Sequence, residues 1–259
     1  MLLDLYAGAI RDAAAREELI PLPQIEKLAL LAPAVISPVS HLLNPTNIRV
    51  IAEIKRASPS RGSIANIEDP AALARSYENA GAGAVSVLTE GRSFLGSLDD
   101  LDEVREAVNI PVLRKDFIAN EYQVLEARAH GADLVLLIAA GLDQKTFLRL
   151  KTFTEQLGMS ALVEAHTEQE VLRACEVESR LIGINARDLG TFETDRSLFG
   201  RLASLVPEGS IKIAESAVRS VADVEEYASF GADCVLVGEA LVTGDASELV
   251  SSFSKVKKS

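Results

Sequence analysis

The sequence predicts an α/β protein, a (β/α)8 barrel with an N-terminal helical extension. Three observations predict it. Past Arg49 the chain carries eight short apolar runs: VIAEI (50–54), AVSVL (84–88), PVLR (111–114), LVLLI (134–138), ALVE (161–164), LIGIN (181–185), IKIAE (211–215) and CVLVG (234–238). They are continuous rather than alternating, as suits strands buried on both faces of a parallel sheet. Helical periodicity fills the intervals. Three of those helices end alike, in AGAGAV (80–85), HGADLV (130–135) and FGADCV (230–235). There Gly can take the left-handed conformation that closes a helix and feeds the next strand. Eight similar strand–helix units favour closure. The rival, a doubly wound open sheet, would show G-x-G-x-x-G at its first strand–helix turn. Neither that fingerprint nor a P-loop is present.

Taken in order, Leu2, Leu5, Tyr6, Ala9, Ile10 and Ala13 fall at helical spacing, and Pro21 and Pro23 stop that helix. A short helical piece over 25–31 follows, then a loop with Pro33, Pro38 and Pro45. Residues 1–48 thus form the extension and 49–259 the barrel, together one domain. Asp69-Pro70 reads as an N-cap with Pro at the first helical position. Thr167 with Glu170 reads as a capping box, and Ser220 with Asp223 as a weaker imitation.

Composition excludes several function classes. A net charge of −12 argues against nucleic acid, whose phosphates need a basic face. An anionic small molecule stays compatible if cations and amides gather locally. The N-terminal MLLDLYAGAIRDAAAREE has no basic leader and is broken by Asp4, so no signal peptide is expected. No apolar run is long enough for a membrane span. Cys175 and Cys234 lack CxxC spacing and read as buried thiols in a reducing compartment. The expected location is cytoplasmic.

In such barrels the active site is built from the C-terminal ends of the strands. Here those ends carry Glu53 and Lys55; Thr89 and Glu90; Arg114, Lys115 and Asp116; the bland Ile138-Ala139-Ala140; Glu164; Asn185, Arg187 and Asp188; Glu215 and Ser216; and Gly238-Glu239. One charged residue at a strand end is ordinarily a solvated terminus. Five strands placing Lys, Glu or Asn at one rim are more than that, because parallel strands converge there. Lys55, Lys115, Glu53, Glu164, Glu215 and Asn185 in one funnel would perturb each other's pKa values, which predicts an acid–base site. Barrels also seat phosphate on backbone amides after strands seven and eight, here Ser216-Ala217 and Gly238-Glu239-Ala240. Gly238 would admit close backbone approach, and Ser216 offers both amide and hydroxyl. Glu239 is acidic, but its amide can donate with the side chain turned away. No metal-ligand pattern is visible. His41, His130 and His166 read as structural or surface residues, with His166 near enough to the rim to touch the site.

The ordered set IAEIKRASPSRG, SVLTEGRSFLGSLDDL, PVLRKDFI, GADLVLLI, ALVEAHTEQE, GINARDL, IAES and VLVGEAL resembles the indole-3-glycerol-phosphate synthase family over about 50–241. The helical leader also resembles that family's N-terminal segment. The resemblance implies decarboxylating ring closure of 1-(2-carboxyphenylamino)-1-deoxyribulose 5-phosphate to indole-3-glycerol phosphate, carbon dioxide and water, in tryptophan biosynthesis. It implies no metal and no organic cofactor. It implies that Lys115 is the general acid for the carbonyl oxygen, with Lys55 near the substrate carboxylate and Glu53 holding the lysines charged and oriented. Glu164 is the base candidate, with Lys55 a candidate second acid; which lysine serves which step stays open. Asn185 and Glu215 resemble contacts to the hydroxyls and the reacting centre, and Arg187 resembles a partner of the carboxylate. Phe94, Phe117 and Leu136 occupy the family's ring-pocket positions. Ser58 and Pro59 shape a loop that can fold over substrate, with Gly62 as its flexible point. The family commonly reads AESG, where this chain has Ala214-Glu215-Ser216-Ala217. Either Ala217 sits at positive φ at a cost of about 1 kcal/mol, or the turn accepts an ordinary residue; the second reading is preferred.

Two other readings compete. A phosphoribosyl isomerase barrel would rely on a carboxylate or cysteine pair rather than Lys55, Lys115 and Glu164. A non-catalytic barrel subunit would be expected to lose its rim charges, which are all present. The expected partner is a small anionic substrate, without nucleic acid or membrane. Helical faces do not reveal an oligomer, and a monomer is favoured.

Overall fold

Eight parallel strands hydrogen-bond edge to edge until the last meets the first. The computed structural model describes residues 1–188 and 193–258. The strands are β1 (Arg49–Ile54), β2 (Ala84–Leu88), β3 (Val112–Lys115), β4 (Leu134–Ile138), β5 (Ser160–Ala165), β6 (Leu181–Asn185), β7 (Ile211–Glu215) and β8 (Cys234–Val237). They pair in chain order, and β8 closes on β1 with Cys234 opposite Arg49 and Val237 opposite Ala52. The continuous apolar runs are explained by this closure, since one face fills the barrel and the other is covered by helices. The barrel is a (β/α)8 barrel, as the sequence predicts.

The extension holds α1 (Leu2–Leu19), α2 (Leu22–Leu31) and α3 (Pro38–Leu42). Pro23 does not end α1; it lies in the first turn of α2, where its missing N–H costs nothing. Pro38 likewise opens α3, where the sequence suggested only loop. Around the barrel run α4 (Pro70–Asn79), α5 (Leu98–Ala107), α6 (Glu121–Ala129), α7 (Gln144–Gln156), α8 (Glu168–Glu176), α9 (Ser197–Leu202), α10 (Val221–Ser229), α11 (Glu239–Thr243) and α12 (Ala246–Phe253). The glycines after α4, α6 and α10 take the expected left-handed conformation, with φ of 98° at Gly81, 74° at Gly131 and 84° at Gly231. The two capping expectations exchange ranks. Ser220 and Asp223 form the full reciprocal box, whereas the Glu170 carboxylate passes the Thr167 amide and accepts from the His166 amide instead.

The extension is tied to the barrel by a small core of Ala13, Ile25, Ala29, Tyr122 and Leu125. Arg16 pairs with the buried Glu126, and the Tyr122 hydroxyl donates to Ile20 O at 2.9 Å. Ile10, expected on the apolar face of α1, is 44% exposed. Tyr6 instead lies against Phe117, ring centroids 5.6 Å apart, which sets α1 over the C-terminal mouth of the barrel.

Candidate active site

Strand parity decides which polar residues enter the mouth, because residues two apart share a face. Glu53, Lys55, Lys115, Glu164, Asn185 and Glu215 all line one open cleft. Arg114, next to Lys115, faces the other way and is fully buried. Its guanidinium donates to Thr89 Oγ1 at 3.1 Å, to Gln123 O at 2.8 Å and to Asp116 Oδ2 at 3.0 Å. Thr89, Arg114 and Asp116 therefore form a structural knot between barrel and α6, and Asp116 also borders the cleft. The Glu90 carboxylate accepts from the amides of Arg92, Ser93 and Phe94, and so holds the loop that presents Phe94.

At the centre Lys115 Nζ stands 3.1 Å from Glu164 Oε2 and 3.9 Å from Glu215 Oε2. Asn185 Nδ2 donates to Glu164 Oε1 at 3.1 Å. Lys55 Nζ pairs with Glu53 Oε1 at 2.9 Å, and Ser86 donates to the other Glu53 oxygen at 3.3 Å. The carboxyls are buried and the two lysines half-buried, so neighbouring charges act strongly on the carboxyls. Burial opposes the charge on Lys115, yet Glu164, Glu215 and Glu53 outweigh it and hold the ammonium above the usual lysine value. Burial is likewise outweighed at Glu164, by Lys115 and then His166, leaving the carboxyl well below its usual value. At Glu53 burial yields to Lys55 and Lys115, and its pKa is lowered. Glu215 is the exception. Burial and the neighbouring Glu164 push it well above the carboxylate range despite Lys115. The cluster thus pushes its carboxyls apart, Glu53 and Glu164 toward the ionised form and Glu215 toward the protonated one, around a raised Lys115.

Two glycines make room for it. A Cβ at Gly183 would meet Glu215 Oε1 at 1.9 Å, and one at Gly238 would meet Glu53 Oε1 at 2.5 Å and Lys55 Nζ at 3.2 Å. Gly238 therefore also clears space for the Glu53–Lys55 pair.

An apolar wall faces the charges. Phe94, Phe117 and Leu136 line the cleft, with the two Phe rings 6.1 Å apart. Leu2 and Leu5 of α1 complete the wall. Sequence reasoning missed both leucines. Their helical spacing marks a buried face without saying what it covers. Ser58, Arg187, Ser216 and Glu239 border the same cleft, and Arg187 Nη1 donates to Ser60 Oγ at 3.4 Å, joining the β6 end to the β1 loop.

A second hollow adjoins it beyond β7 and β8. Lys55, Arg61, Arg187 and Arg219 line it against Glu53 and Glu239, with Ser216, Ala217 and Gly238 at its floor. Four cations against two carboxylates give a cationic pocket on an acidic protein. The Glu239 side chain forms an ion pair with Arg61, and both border the hollow. Two sequence expectations change here. The Ser216 hydroxyl donates to Asn185 Oδ1 at 2.7 Å, so its amide is the group left for a ligand. Ala217 has a φ of 59° and Ser216 one of 71°. The preferred reading of the turn as ordinary backbone is wrong. Both residues are left-handed, and Ala217 carries a steric cost that Gly would not.

Among the described residues no three or more His, Cys, Asp or Glu side chains gather so as to hold a metal ion. No helix of the described residues is long and apolar enough to cross a membrane.

The profile described as "Indole-3-glycerol phosphate synthase" matches residues 3–252. A protein of that name from Leifsonia xyli subsp. xyli is 55% identical over 256 residues, covering 99% of this chain and 98% of its own. The chain belongs to the indole-3-glycerol phosphate synthase family. A second indole-3-glycerol phosphate synthase, from Mycobacteroides abscessus, is 56% identical over 242 residues, 93% of this chain and 89% of its own. Among solved structures, thiamine phosphate pyrophosphorylase from Pyrococcus furiosus superposes with a TM-score of 0.59 at 12% identity, over 80% of this chain and 94% of that one. The N-acetylmannosamine-6-phosphate 2-epimerase from Clostridium perfringens gives 0.58 at 15% identity, over 74% and 86%. At such identities these two share the barrel alone. Family membership as an indole-3-glycerol phosphate synthase also covers nearly all of the extension, so α1 and its leucines belong to the family's chain.

Proposed function

We propose that this chain closes the indole ring of 1-(2-carboxyphenylamino)-1-deoxyribulose 5-phosphate, with Lys115 as general acid and Glu164 as general base. The observation that carries this reading is the ion pair of Lys115 with Glu164 at 3.1 Å, facing an aromatic wall across one cleft. The anilino ring lies against Phe94, Phe117 and Leu136. Its carboxylate-bearing carbon attacks the ribulose carbonyl, and Lys115 donates a proton to the oxygen as charge develops. Carbon dioxide leaves and restores the aromatic ring. A hydroxyl then departs as water while Glu164 removes a proton from the new five-membered ring. With the substrate carboxylate ionised, each turnover takes up one proton from solvent and yields the product, carbon dioxide and water.

Lys55 borders both the cleft and the cationic hollow, which suits it to the substrate carboxylate and to protonating the departing hydroxyl. Glu53 pairs with Lys55 at 2.9 Å and orients it. Asn185 and Glu215 hold the hydroxyls and the reacting centre, and Arg187 helps neutralise the carboxylate. The phosphate seats in the hollow on the amides of Ser216, Ala217 and the 238–239 turn, with Ser58 and its loop closing over it. No metal or organic cofactor takes part. The protein acts as a cytoplasmic monomer on this reading. Cys175 and Cys234 are free thiols, which suits a reducing compartment.

Turnover of that substrate, followed by indole fluorescence with EDTA and no added cofactor, tests the reading. Rapid product formation is expected. Tight binding of a reduced substrate analogue without turnover would overturn the acid–base assignment, and absence of both would overturn the substrate.

A further inference from the structure

Nothing in the ring closure as written uses His166. Its side chain is 9% exposed at the end of β5. Nε2 lies 3.2 Å from Glu164 Oε1 and Nδ1 lies 3.2 Å from Glu170 Oε2. The imidazole therefore stands between the candidate base and a second carboxylate. Glu170 is itself fixed. Its Oε2 accepts from the His166 amide at 2.8 Å, its Oε1 accepts from Thr167 Oγ1 at 3.0 Å, and it sits in the first turn of α8. A carboxylate there is favoured by the unpaired amides and the helix dipole. Nδ1 is hydrogen-bonded to Glu170 Oε2, whereas Nε2, 3.2 Å from Glu164 Oε1, is off line for a hydrogen bond and acts on that carboxylate only as a neighbouring charge. A ring set between two carboxylates favours the imidazolium over the neutral form.

We propose that His166, anchored by Glu170, is a positioning residue for the base: its imidazolium stands behind Glu164, keeps that carboxylate ionised and turns Oε2 toward Lys115 and the substrate. The proposal rests on the reading of Glu164 as base. The Glu164 oxygens divide accordingly, Oε1 toward His166 and Asn185 and Oε2 toward Lys115. The titratable groups facing this array are Glu164 on β5, Glu170 on α8, Lys115 on β3, Glu215 on β7 and Tyr6 on α1. Burial opposes the charge on His166, but Glu164 and Glu170 raise its pKa to about 10.

Two measurements test it on the full chain. Nitrogen-15 spectra of the imidazole should show both ring nitrogens protonated from neutral pH to about pH 9, and Glu170→Gln should bring the titration back toward the ordinary value of about 6.5. A wild-type ring that titrates near 6.5 would overturn the proposal. In pH profiles, His166→Gln should lower kcat on the order of tenfold and move its acid limb upward by about one unit, with KM within about twofold. Glu170→Gln should shift the same limb less. An unshifted limb with full kcat, or a loss of thermal stability alone, would make His166 merely structural. Should His166→Gln fail to fold, the spectra and Glu170→Gln still decide. Glu164→Gln, measured alongside, separates the failures. If it stays active, the base assignment has failed; if it is inactive beside an active, unshifted His166→Gln, only the positioning role has.

Discussion

The Glu215 carboxyl lies directly over the bare Cα of Gly183, so close that a Cβ there would come within 1.9 Å of Oε1. The two residues sit on neighbouring strands, and Asn185 is the register partner of Glu215. Gly183→Ala must therefore displace the carboxyl or spread β6 from β7. Overpacking of this kind costs about 1–3 kcal/mol, readable in urea unfolding. Misplacing Glu215 by about 1 Å should lower kcat on the order of 100-fold. The double variant Gly183→Ala/Glu215→Ala should recover most of the lost stability, because the clash is between those two side groups. Equal destabilisation in single and double variants would place the cost elsewhere.

Lys115→Ala and Glu164→Gln should each lose activity by about 10²–10⁴, the usual worth of a general acid or base. Both should keep a native circular dichroism spectrum, since the barrel closes through backbone pairing. A folded Lys115→Ala protein with near-wild-type turnover would remove Lys115 from the acid role.

The pH dependence follows from the signs of the shifts. Glu164 is depressed from 4.5, so its stabilising contribution is present above that value and is lost as pH falls through its lower folded pKa. Lys115 is raised from 10.5, so its contribution is complete below that value and is lost only as pH climbs through the higher folded pKa. His166 is raised from 6.5 to about 10, and its contribution drains away between those two values. Glu215, raised from 4.5, makes the fold progressively less favourable as pH rises above 4.5. Urea midpoints should thus decline from mildly acidic pH toward pH 10, while kcat holds a broad plateau with its acid limb below about pH 4.5. Glu215→Gln should flatten the decline and impair turnover. A midpoint that rises steadily above pH 7 would contradict these signs.

Ala217→Gly should leave the protein as stable or up to about 1 kcal/mol more stable. The strain of Ala at a φ of 59° is relieved, partly offset by the larger freedom of Gly in the unfolded chain. KM for the phosphorylated substrate should stay within about twofold, because the left-handed turn is already formed. Ala217→Val, with a branched Cβ at the same φ, should destabilise clearly and raise KM. A strongly destabilised Ala217→Gly would mean that the methyl is needed for packing.

Much of the site was legible because a strand's direction and parity are local properties. Glu53 and Lys55 share a face by their spacing alone, and parallel strands carry every such end to one rim. Charge at a strand end does not by itself say which neighbour looks inward. Arg114 and Lys115 are equally charged neighbours, yet one is locked under α6 and the other enters the cleft. Capping strength was misjudged between Ser220 and Thr167 because the Glu170 carboxylate is engaged by His166, a contact decided by the third dimension. Ala217 shows a further limit, since the sequence admits both an ordinary and a left-handed turn there.

By itself, then, the sequence determined the barrel, the order of its strands, the glycine stops and the residue types that meet at the mouth. Apolar runs and strand direction are written residue by residue along the chain. Only the tertiary structure decided that Leu2 and Leu5 roof the cleft, that Gly183 must stay bare beneath Glu215, and that His166 stands between two carboxylates. Each of these depends on the distance between segments far apart in the chain, and that distance exists only once the eighth strand has closed on the first.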